Sequence, residues 1–221
     1  MNREQSLTVG NPQKPNDIYQ LLCHFIDSVI DGFIYNPVAN GLSCSEDDIT
    51  LAMSYYLDGK SEQLLCPFKF INQAKRTDIG VYLGRCYISN NIRKFCWIEA
   101  KRLPTPNNAT RDEREYVFVD HSQKQFDGNG GIERFKLNKH GDGLPIAIMF
   151  GYVQSETFEY WEEKVNQWLQ SYTSIVTCNK NERLIRINQR ANRFYSTHIR
   201  IDYKSKQKMD DITIYHFWIT L

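Results

Sequence analysis

The sequence lacks several features that would on their own assign a protein to a broad class. The net charge is only +1 over 221 residues, which excludes a protein that coats DNA with a uniformly basic surface. Its apolar runs all fall short of the roughly 18 residues of a membrane span. The polar start, Met1 to Gln5, also lacks the apolar core of a signal peptide. We therefore expect a cytoplasmic protein with no membrane partner.

Cysteine and histidine do not form a recognisable metal or redox motif. No two of the six cysteines have Cys-x-x-Cys spacing, and the five histidines show no His-x-x-x-His or Cys/His spacing for zinc. Internal repeats and low-complexity tracts are also missing. We expect reduced thiols and structural histidines. These residues are Cys23, Cys44, Cys66, Cys86, Cys96, Cys178, His24, His121, His140, His198 and His216.

The composition favours one globular domain of mixed secondary structure. Hydrophobic residues make up 41% of the chain and aromatic residues 13%, which is enough for one sizeable core at this length. Residues 1–16 are polar and contain two prolines, so we expect a flexible N-terminal arm. Residues 17–221 then form a single α/β domain, with a core at about 46–172 and a C-terminal β-hairpin at about 194–221.

Hydrophobic periodicity predicts the order of the elements. A first helix begins with Asp17 as its cap and ends at Asn36-Pro37, and a second runs from its cap Ser45 to about Leu57. Three strands, a short helix entered through glycines, a buried strand and a further helix follow, and the terminal hairpin ends the chain. The predicted segments are 64–71, 78–83, 95–101, 131–135, 146–153, 157–172, 194–203 and 212–221, with a turn at Asn90-Asn91 between the second and third strands.

Three charged residues on two neighbouring strands are the strongest functional signal. Asp78 opens one apolar strand, and Glu99 and Lys101 end the next. Alternate side chains of a strand point to one face, so Glu99 and Lys101 lie side by side. Antiparallel pairing of the two strands would bring Asp78 close to Glu99. Two carboxylates in this arrangement suit Mg²⁺, which prefers oxygen ligands.

This Asp…Glu-x-Lys arrangement resembles the PD-(D/E)XK nuclease superfamily over residues 46–168, although Thr77 replaces the proline of the motif. The resemblance implies a restriction endonuclease-like core of order αβββαβ, a mixed sheet flanked by helices, with an extra N-terminal helix here. It implies hydrolysis of phosphodiester bonds, with DNA as substrate in restriction, repair or defence, and a homodimer as one expected state. The implied cofactor is Mg²⁺, which Mn²⁺ can replace. The implied metal ligands are Asp78, Glu99 and the Ala100 carbonyl, with Lys101 acting on water or phosphate. Glu46 is the optional fourth catalytic residue; Asp47 or Asp48 could serve instead, and Glu46 could equally be a carboxylate that favours the helix start.

Basic residues near these strands are candidates for phosphate contact. Arg76 precedes the Asp78 strand, Arg102 follows Lys101, and Arg134 belongs to the short helix; arginine guanidinium groups pair well with phosphates. Backbone N–H groups at Gly130-Gly131 could also hold a phosphate. The most basic segment, residues 179–208, has the composition expected for nucleic-acid contact.

Less specific interpretations of the same residues remain open. Glu99 and Lys101 could be an ordinary exposed cross-strand pair with Asp78 unrelated to them. The same fold could serve a non-catalytic nucleic-acid-binding or protein-interaction role. Asp27 and Asp31 are expected on a solvated helix face, and the row Ser196, His198 and Arg200 on the polar outer face of the terminal hairpin.

Overall fold

The structure, a computed structural model, describes residues 15–37, 43–73, 78–84, 94–107, 109–123, 129–141, 143–172 and 182–221. The described helices are α1 (Pro15–Val29), which continues into a 3-10 turn (Ile30–Gly32), α2 (Glu46–Gln63), α3 (Gly131–Lys136) and α4 (Phe158–Ser171). The strands are β1 (Phe68–Asn72), β2 (Asp78–Leu83), β3 (Lys94–Leu103), β4 (Ile146–Val153), β5 (Ile185–Arg186), β6 (Arg193–Ile201) and β7 (Lys208–Thr220). Within these ranges no helix has the length and apolar content needed to cross a bilayer.

The strands form one mixed sheet in the order β1-β2-β3-β4-β7-β6-β5. The first three strands pair antiparallel, in the order β1, β2, β3. Strand β4 lies parallel to both β3 and β7, and β6 pairs antiparallel with β7 on one side and with β5 on the other. The prediction of an α/β fold with a mixed sheet flanked by helices is therefore confirmed. The terminal hairpin is part of this sheet, because β7 pairs with β4 along the length of β4.

The sheet has a hydrophobic core on each face. On one face, α1 and α2 pack against even-numbered residues of β3 and β4, such as Ile98 and Phe150. On the other face, α3 and α4 pack against odd-numbered residues such as Trp97 and Met149. Full burial of one such side chain stabilises the fold by about 1.5–3 kcal/mol. Polar side chains on odd positions of β3 therefore face the α3 side.

Two helix boundaries differ from the sequence prediction. Ser45 caps α2 as predicted, accepting a hydrogen bond from the Asp48 amide, but α2 continues beyond Leu57 to Gln63. Asp58 lies inside the helix, and its carboxylate accepts the amide of Phe70 on β1 at 3.1 Å, which joins helix to strand. Helix α1 begins at Pro15, so the prediction of Asp17 as its cap is wrong. Residues 1–14 lie outside the described ranges.

The polar row of the terminal hairpin is buried, so the prediction of an outer face is wrong. Ser196, His198 and Arg200 are 0–1% exposed, and β6 presents them to the α3 side of the sheet. The Ser196 hydroxyl lies 2.7 Å from His198 Nε2 and 2.8 Å from Nε2 of His216 on β7. His198 Nδ1 lies 2.8 Å from the buried carboxylate of Glu182. This network satisfies the polar atoms within the protein interior.

Ion pairs tie α1 to the C-terminal part of the sheet. Arg193, which is 1% exposed, donates through Nε to Asp27 (2.7 Å) and through Nη2 to Asp31 (2.5 Å). Arg190 pairs with the same two carboxylates at 2.8 and 2.5 Å. Asp31 is exposed, as predicted for a solvated helix face, and Asp27 is half-buried. The two carboxylates also dock α1 against the start of β6.

Candidate metal centre

The register of β2 against β3 places Asp78 directly opposite Glu99. Both side chains are 0% exposed, and Lys101, two residues further along β3, is 4% exposed. The predicted meeting of these three residues on one face of the sheet is therefore observed. The interpretation of Glu99 and Lys101 as an exposed pair with an unrelated aspartate is wrong, because all three side chains are buried together.

Glu46 reaches this group from the first turn of α2. The Arg102 amide, which lies beyond the Asp78–Glu99 pair along β3, donates to Glu46 Oε2 at 3.0 Å. The other oxygen of Glu46 accepts from Lys101 Nζ, also at 3.0 Å. Lys101 Nζ lies 3.4 Å from Glu99 Oε1, so its ammonium bridges two carboxylates. The helix N-terminus also favours a carboxylate at this position.

Two residues from α3 and the loop after it complete the group. Arg134 Nη1 lies 3.0 Å from Glu99 Oε1. His140 Nδ1 lies 3.1 Å from Glu99 Oε2 and 3.5 Å from Asp78 Oδ2. Sequence reasoning missed His140, because a single histidine in a loop 39 residues after Lys101 in the chain has no spacing that links it to the acids.

The protonation states follow from burial and charge. Burial raises the pKa of Asp78 to about 9, and the adjacent Glu99 carboxylate contributes to the increase. Burial alone would also raise the pKa of Glu99, but Lys101 and His140 outweigh it and hold that pKa below its ordinary value. Burial would lower the pKa of Lys101, yet Glu46 and Glu99 raise it above its ordinary value. At neutral pH the centre thus holds a protonated Asp78, an ionised Glu99 and an ammonium at Lys101.

The residues present fit a divalent cation. When Asp78 is ionised, neither oxygen of its side chain has a hydrogen-bond donor among the residues that the structure describes; when protonated, it can donate to Glu99. A buried polar group without a partner is rare and costs about 1–3 kcal/mol. One oxygen of Asp78, one oxygen of Glu99 and a ring nitrogen of His140 all lie within 4.8 Å of one another. Ligand atoms of this kind and spacing suit a small divalent ion.

Other predicted site residues are placed differently. The Arg102 side chain points to the α2 face of the sheet and donates to Gln154 at 2.7 Å, so its guanidinium is on the opposite face from Glu99. The Ala100 methyl group is buried in the core on that same α2 face, and a ligand role for its carbonyl stays a prediction. Arg76 lies outside the described residues, as does the predicted turn at Asn90-Asn91.

The predicted phosphate cradle at the start of α3 is wrong. The amides of Gly131, Ile132 and Glu133 donate to the backbone carbonyls of residues 115–117, and the Gly130 amide donates to Glu133 Oε2 at 3.0 Å. A Cβ at Gly130 would lie 2.2 Å from the Phe118 Cα. These N–H groups are used to pack α3 against the preceding loop, so they are not available to a ligand.

The basic C-terminal segment is largely used inside the protein. Arg186 pairs with Glu162, Arg190 and Arg193 bind the α1 aspartates, and Arg200 donates to the carbonyls of residues 143, 144 and 210. These four guanidinium groups stabilise the fold. Arg183, Lys204, Lys206 and Lys208 of this segment are exposed. Any phosphate contact by the segment falls to such exposed residues.

No family model, no curated protein and no solved structure matches this chain.

Proposed function

We propose that the protein is a metal-dependent nuclease that hydrolyses phosphodiester bonds of DNA, with a PD-(D/E)XK site. The observation that carries this proposal is the pair of buried carboxyls at Asp78 and Glu99 beside the Lys101 ammonium. The Asp78 carboxylate has no hydrogen-bond donor among the described residues. Burial of a carboxylate without hydrogen-bond donors is unfavourable in free energy. A cation between the two acids would compensate its charge.

The order of the elements supports the same proposal. Helix α2, the antiparallel strands β1 to β3, helix α3 and strand β4 parallel to β3 follow one another along the chain. This is the αβββαβ order that the resemblance implies for a restriction endonuclease-like core. On this proposal α1 and strands β5 to β7 are additions to that core.

The side chains have distinct roles in the proposed reaction. Asp78 and Glu99 would hold Mg²⁺ or Mn²⁺, which neutralises charge on the scissile phosphate and acidifies water. Lys101 keeps its proton at neutral pH, so it stabilises negative charge that develops on the phosphate and does not act as the base. Glu46 acts as a positioning residue, because it fixes the Lys101 ammonium next to Glu99.

The exposed side of the centre suggests how a phosphate would approach. The Arg134 side chain is 25% exposed and that of His140 is 13% exposed, whereas the Lys101 side chain is only 5% exposed. Arg134 thus has the position of a phosphate contact at the entrance, and its guanidinium can form two parallel hydrogen bonds to phosphate oxygens. This supports the predicted role of Arg134 at the site.

Cleavage of defined substrates tests the proposal. Plasmid, linear duplex, single-stranded DNA and single-stranded RNA are incubated with the protein in Mg²⁺, Mn²⁺ or EDTA. The Lys101→Ala variant is compared with Lys60→Ala, whose lysine lies in the last turn of α2, about 20 Å along the helix from Glu46. We expect metal-dependent cleavage of DNA by the wild type and by Lys60→Ala, and none by Lys101→Ala.

Three other results would count against parts of the proposal. Cleavage of RNA alone would change the substrate. Cleavage that persists in Lys101→Ala would place the chemistry elsewhere. Salt-dependent DNA binding without cleavage in any metal would favour a non-catalytic nucleic-acid-binding protein with the same fold.

A further inference from the structure

His140 is placed to be a ligand of the metal centre. Its ring stacks on Trp97 with centroids 5.6 Å apart and an interplanar angle of 19°. It also packs edge to face with Phe135, with ring centroids 6.3 Å apart. Its backbone amide donates to the Arg134 carbonyl at 3.2 Å. The ring is therefore held from two sides, with Nδ1 directed at Glu99 and Asp78.

The distances match those between neighbouring ligands of one ion. For an octahedral ion with ligands at about 2.1 Å, adjacent ligand atoms are about 3.0 Å apart. His140 Nδ1 lies 3.1 Å from Glu99 Oε2 and 3.5 Å from Asp78 Oδ2. An ion between the three atoms would need only small movements of the side chains. The fully buried Asp78 carboxylate, which has no hydrogen-bond donor among the described residues, is a second observation that points to a ligand there.

We propose that His140 is the third protein ligand of this centre and that the centre prefers a first-row divalent transition metal to Mg²⁺. This inference rests on the proposed function for its metal site, although it does not require that the protein cleave DNA. Mg²⁺ favours oxygen ligands only, whereas imidazole nitrogen favours transition metals. Mn²⁺ has the lowest affinity in the transition-metal series, so its use as the probe makes the test a stringent one.

The direct test is spectroscopic and independent of catalysis. Mn²⁺ is added to metal-free protein, and electron spin-echo modulation is used to detect ¹⁴N coupling from a coordinated imidazole. Calorimetry then gives the Mn²⁺ and Mg²⁺ affinities of the wild type and of His140→Ala. The matched control is His24→Ala, because His24 is an exposed histidine of α1. His140→Asp supplies an oxygen ligand in place of the nitrogen.

We expect nitrogen coupling in the wild type and in His24→Ala, and no coupling in His140→Ala or His140→Asp. Loss of a residue that only hydrogen-bonds to a metal ligand already costs about 10- to 100-fold in metal affinity. We therefore expect His140→Ala to lose at least about 10-fold in Mn²⁺ affinity, with a smaller loss for Mg²⁺. Mg²⁺ should bind to His140→Asp at least as tightly as to the wild type, which also shows that this variant is folded.

The possible failures are distinguishable. Absence of nitrogen coupling in Mn²⁺-loaded wild type would overturn the inference and reduce His140 to a hydrogen-bond donor to Glu99, even if DNA is cleaved. Equal losses of Mn²⁺ and Mg²⁺ affinity in His140→Ala would overturn the proposed metal preference. Nitrogen coupling that depends on His140, in a protein that cleaves no nucleic acid, would support the inference while the proposed function fails.

Discussion

Replacement of Asp78 by asparagine should stabilise the metal-free protein while removing its response to metal. Asn and Asp have nearly the same shape, so Asp78→Asn preserves the packing between β2 and β3. The asparagine amide can also donate to Glu99, which lies directly opposite in the register. The variant therefore removes an ionisable group that, when charged, has no hydrogen-bond donor among the described residues, and it opens no cavity.

The magnitude follows from the raised pKa. The pKa of Asp78 is about 9 in the folded protein and about 3.9 in an unfolded chain. Between these values the unfolded state has lost a proton that the folded state keeps, so stability falls as pH rises, by about 1.4 kcal/mol per pH unit. At pH 7 the wild type has lost about 4 kcal/mol relative to acidic pH through this group. Asp78→Asn escapes that loss.

Urea unfolding in EDTA at pH 5, 6, 7 and 8 measures the effect. The stability difference between Asp78→Asn and wild type should grow with pH by about 1.4 kcal/mol per unit, because only the wild type has a carboxyl at position 78 that loses its proton on unfolding. The control Asp211→Asn, at an exposed carboxylate of β7, should give no such trend. Mn²⁺ at 100 times its Kd should stabilise the wild type by about 2.7 kcal/mol and Asp78→Asn by much less.

A stability difference that stays constant between pH 5 and 8 in EDTA would refute this reasoning. It would mean that the pKa of Asp78 in the folded protein is close to its ordinary value and that other groups satisfy its charge. A cation would then not be needed at this site. Equal stabilisation of both proteins by Mn²⁺ would place the metal at another site.

Three further predictions concern the surrounding structure. Replacing either partner of the buried Glu46–Lys101 pair by alanine should lower the free energy of unfolding by about 3–5 kcal/mol. In urea unfolding, the Glu46→Ala/Lys101→Ala double variant should lose less than the sum of the two single losses. Strict additivity would contradict the pairing. His216 is fully buried. Its burial, and to a lesser extent repulsion from the charge of the nearby His198, hold its pKa well below the ordinary value. Below pH 6.5 the unfolded chain takes up a proton at His216, so wild-type stability should fall relative to His216→Gln by about 1.4 kcal/mol per pH unit. If the stability difference between the two proteins does not change between pH 7 and 5, His216 titrates freely. Gly130→Ala would force a Cβ to within 2.2 Å of the Phe118 Cα, so we expect a loss of at least about 2 kcal/mol in thermal unfolding, and an unchanged midpoint would contradict the packing of α3.

Local sequence patterns predicted the part of the centre that lies on two paired strands. Alternation fixes the face of Glu99 and Lys101 within β3, and an antiparallel hairpin leaves few registers for Asp78. Strand β4 was predicted at its observed bounds, because an uninterrupted apolar run is typical of a strand covered on both faces. These features depend on neighbours in sequence, or on a single hairpin.

Residues that join the centre from distant parts of the chain could not be predicted in the same way. His140 reaches the acids because the loop after α3 stacks its ring on Trp97 of β3, and no spacing rule encodes that contact. Glu46 was predicted through the resemblance, but its bonds to Lys101 and to the Arg102 amide depend on how α2 packs against β3. Contacts of this kind are determined by how the elements pack together.

The polar row on β6 shows how a sequence pattern can mislead. Alternating polar residues usually mark the solvated face of a strand, yet Ser196 and His198 are fully buried. Their partners come from distant positions, His216 on β7 and Glu182 before β5. Glu182 also pairs with the buried Lys136 of α3 at 2.5 Å. Burial became possible because every polar atom of the row found a partner, which the local sequence cannot reveal.

The central claim is that this centre cleaves phosphodiester bonds with the help of a divalent metal. Single-turnover cleavage of an end-labelled DNA, as duplex and as single strand, at increasing Mn²⁺ concentration tests it most directly. We expect no product in EDTA and a rate that rises with Mn²⁺ and saturates, with no cleavage by Asp78→Asn at any concentration. Absence of product at Mn²⁺ concentrations that saturate the Asp78–Glu99 site would contradict the claim.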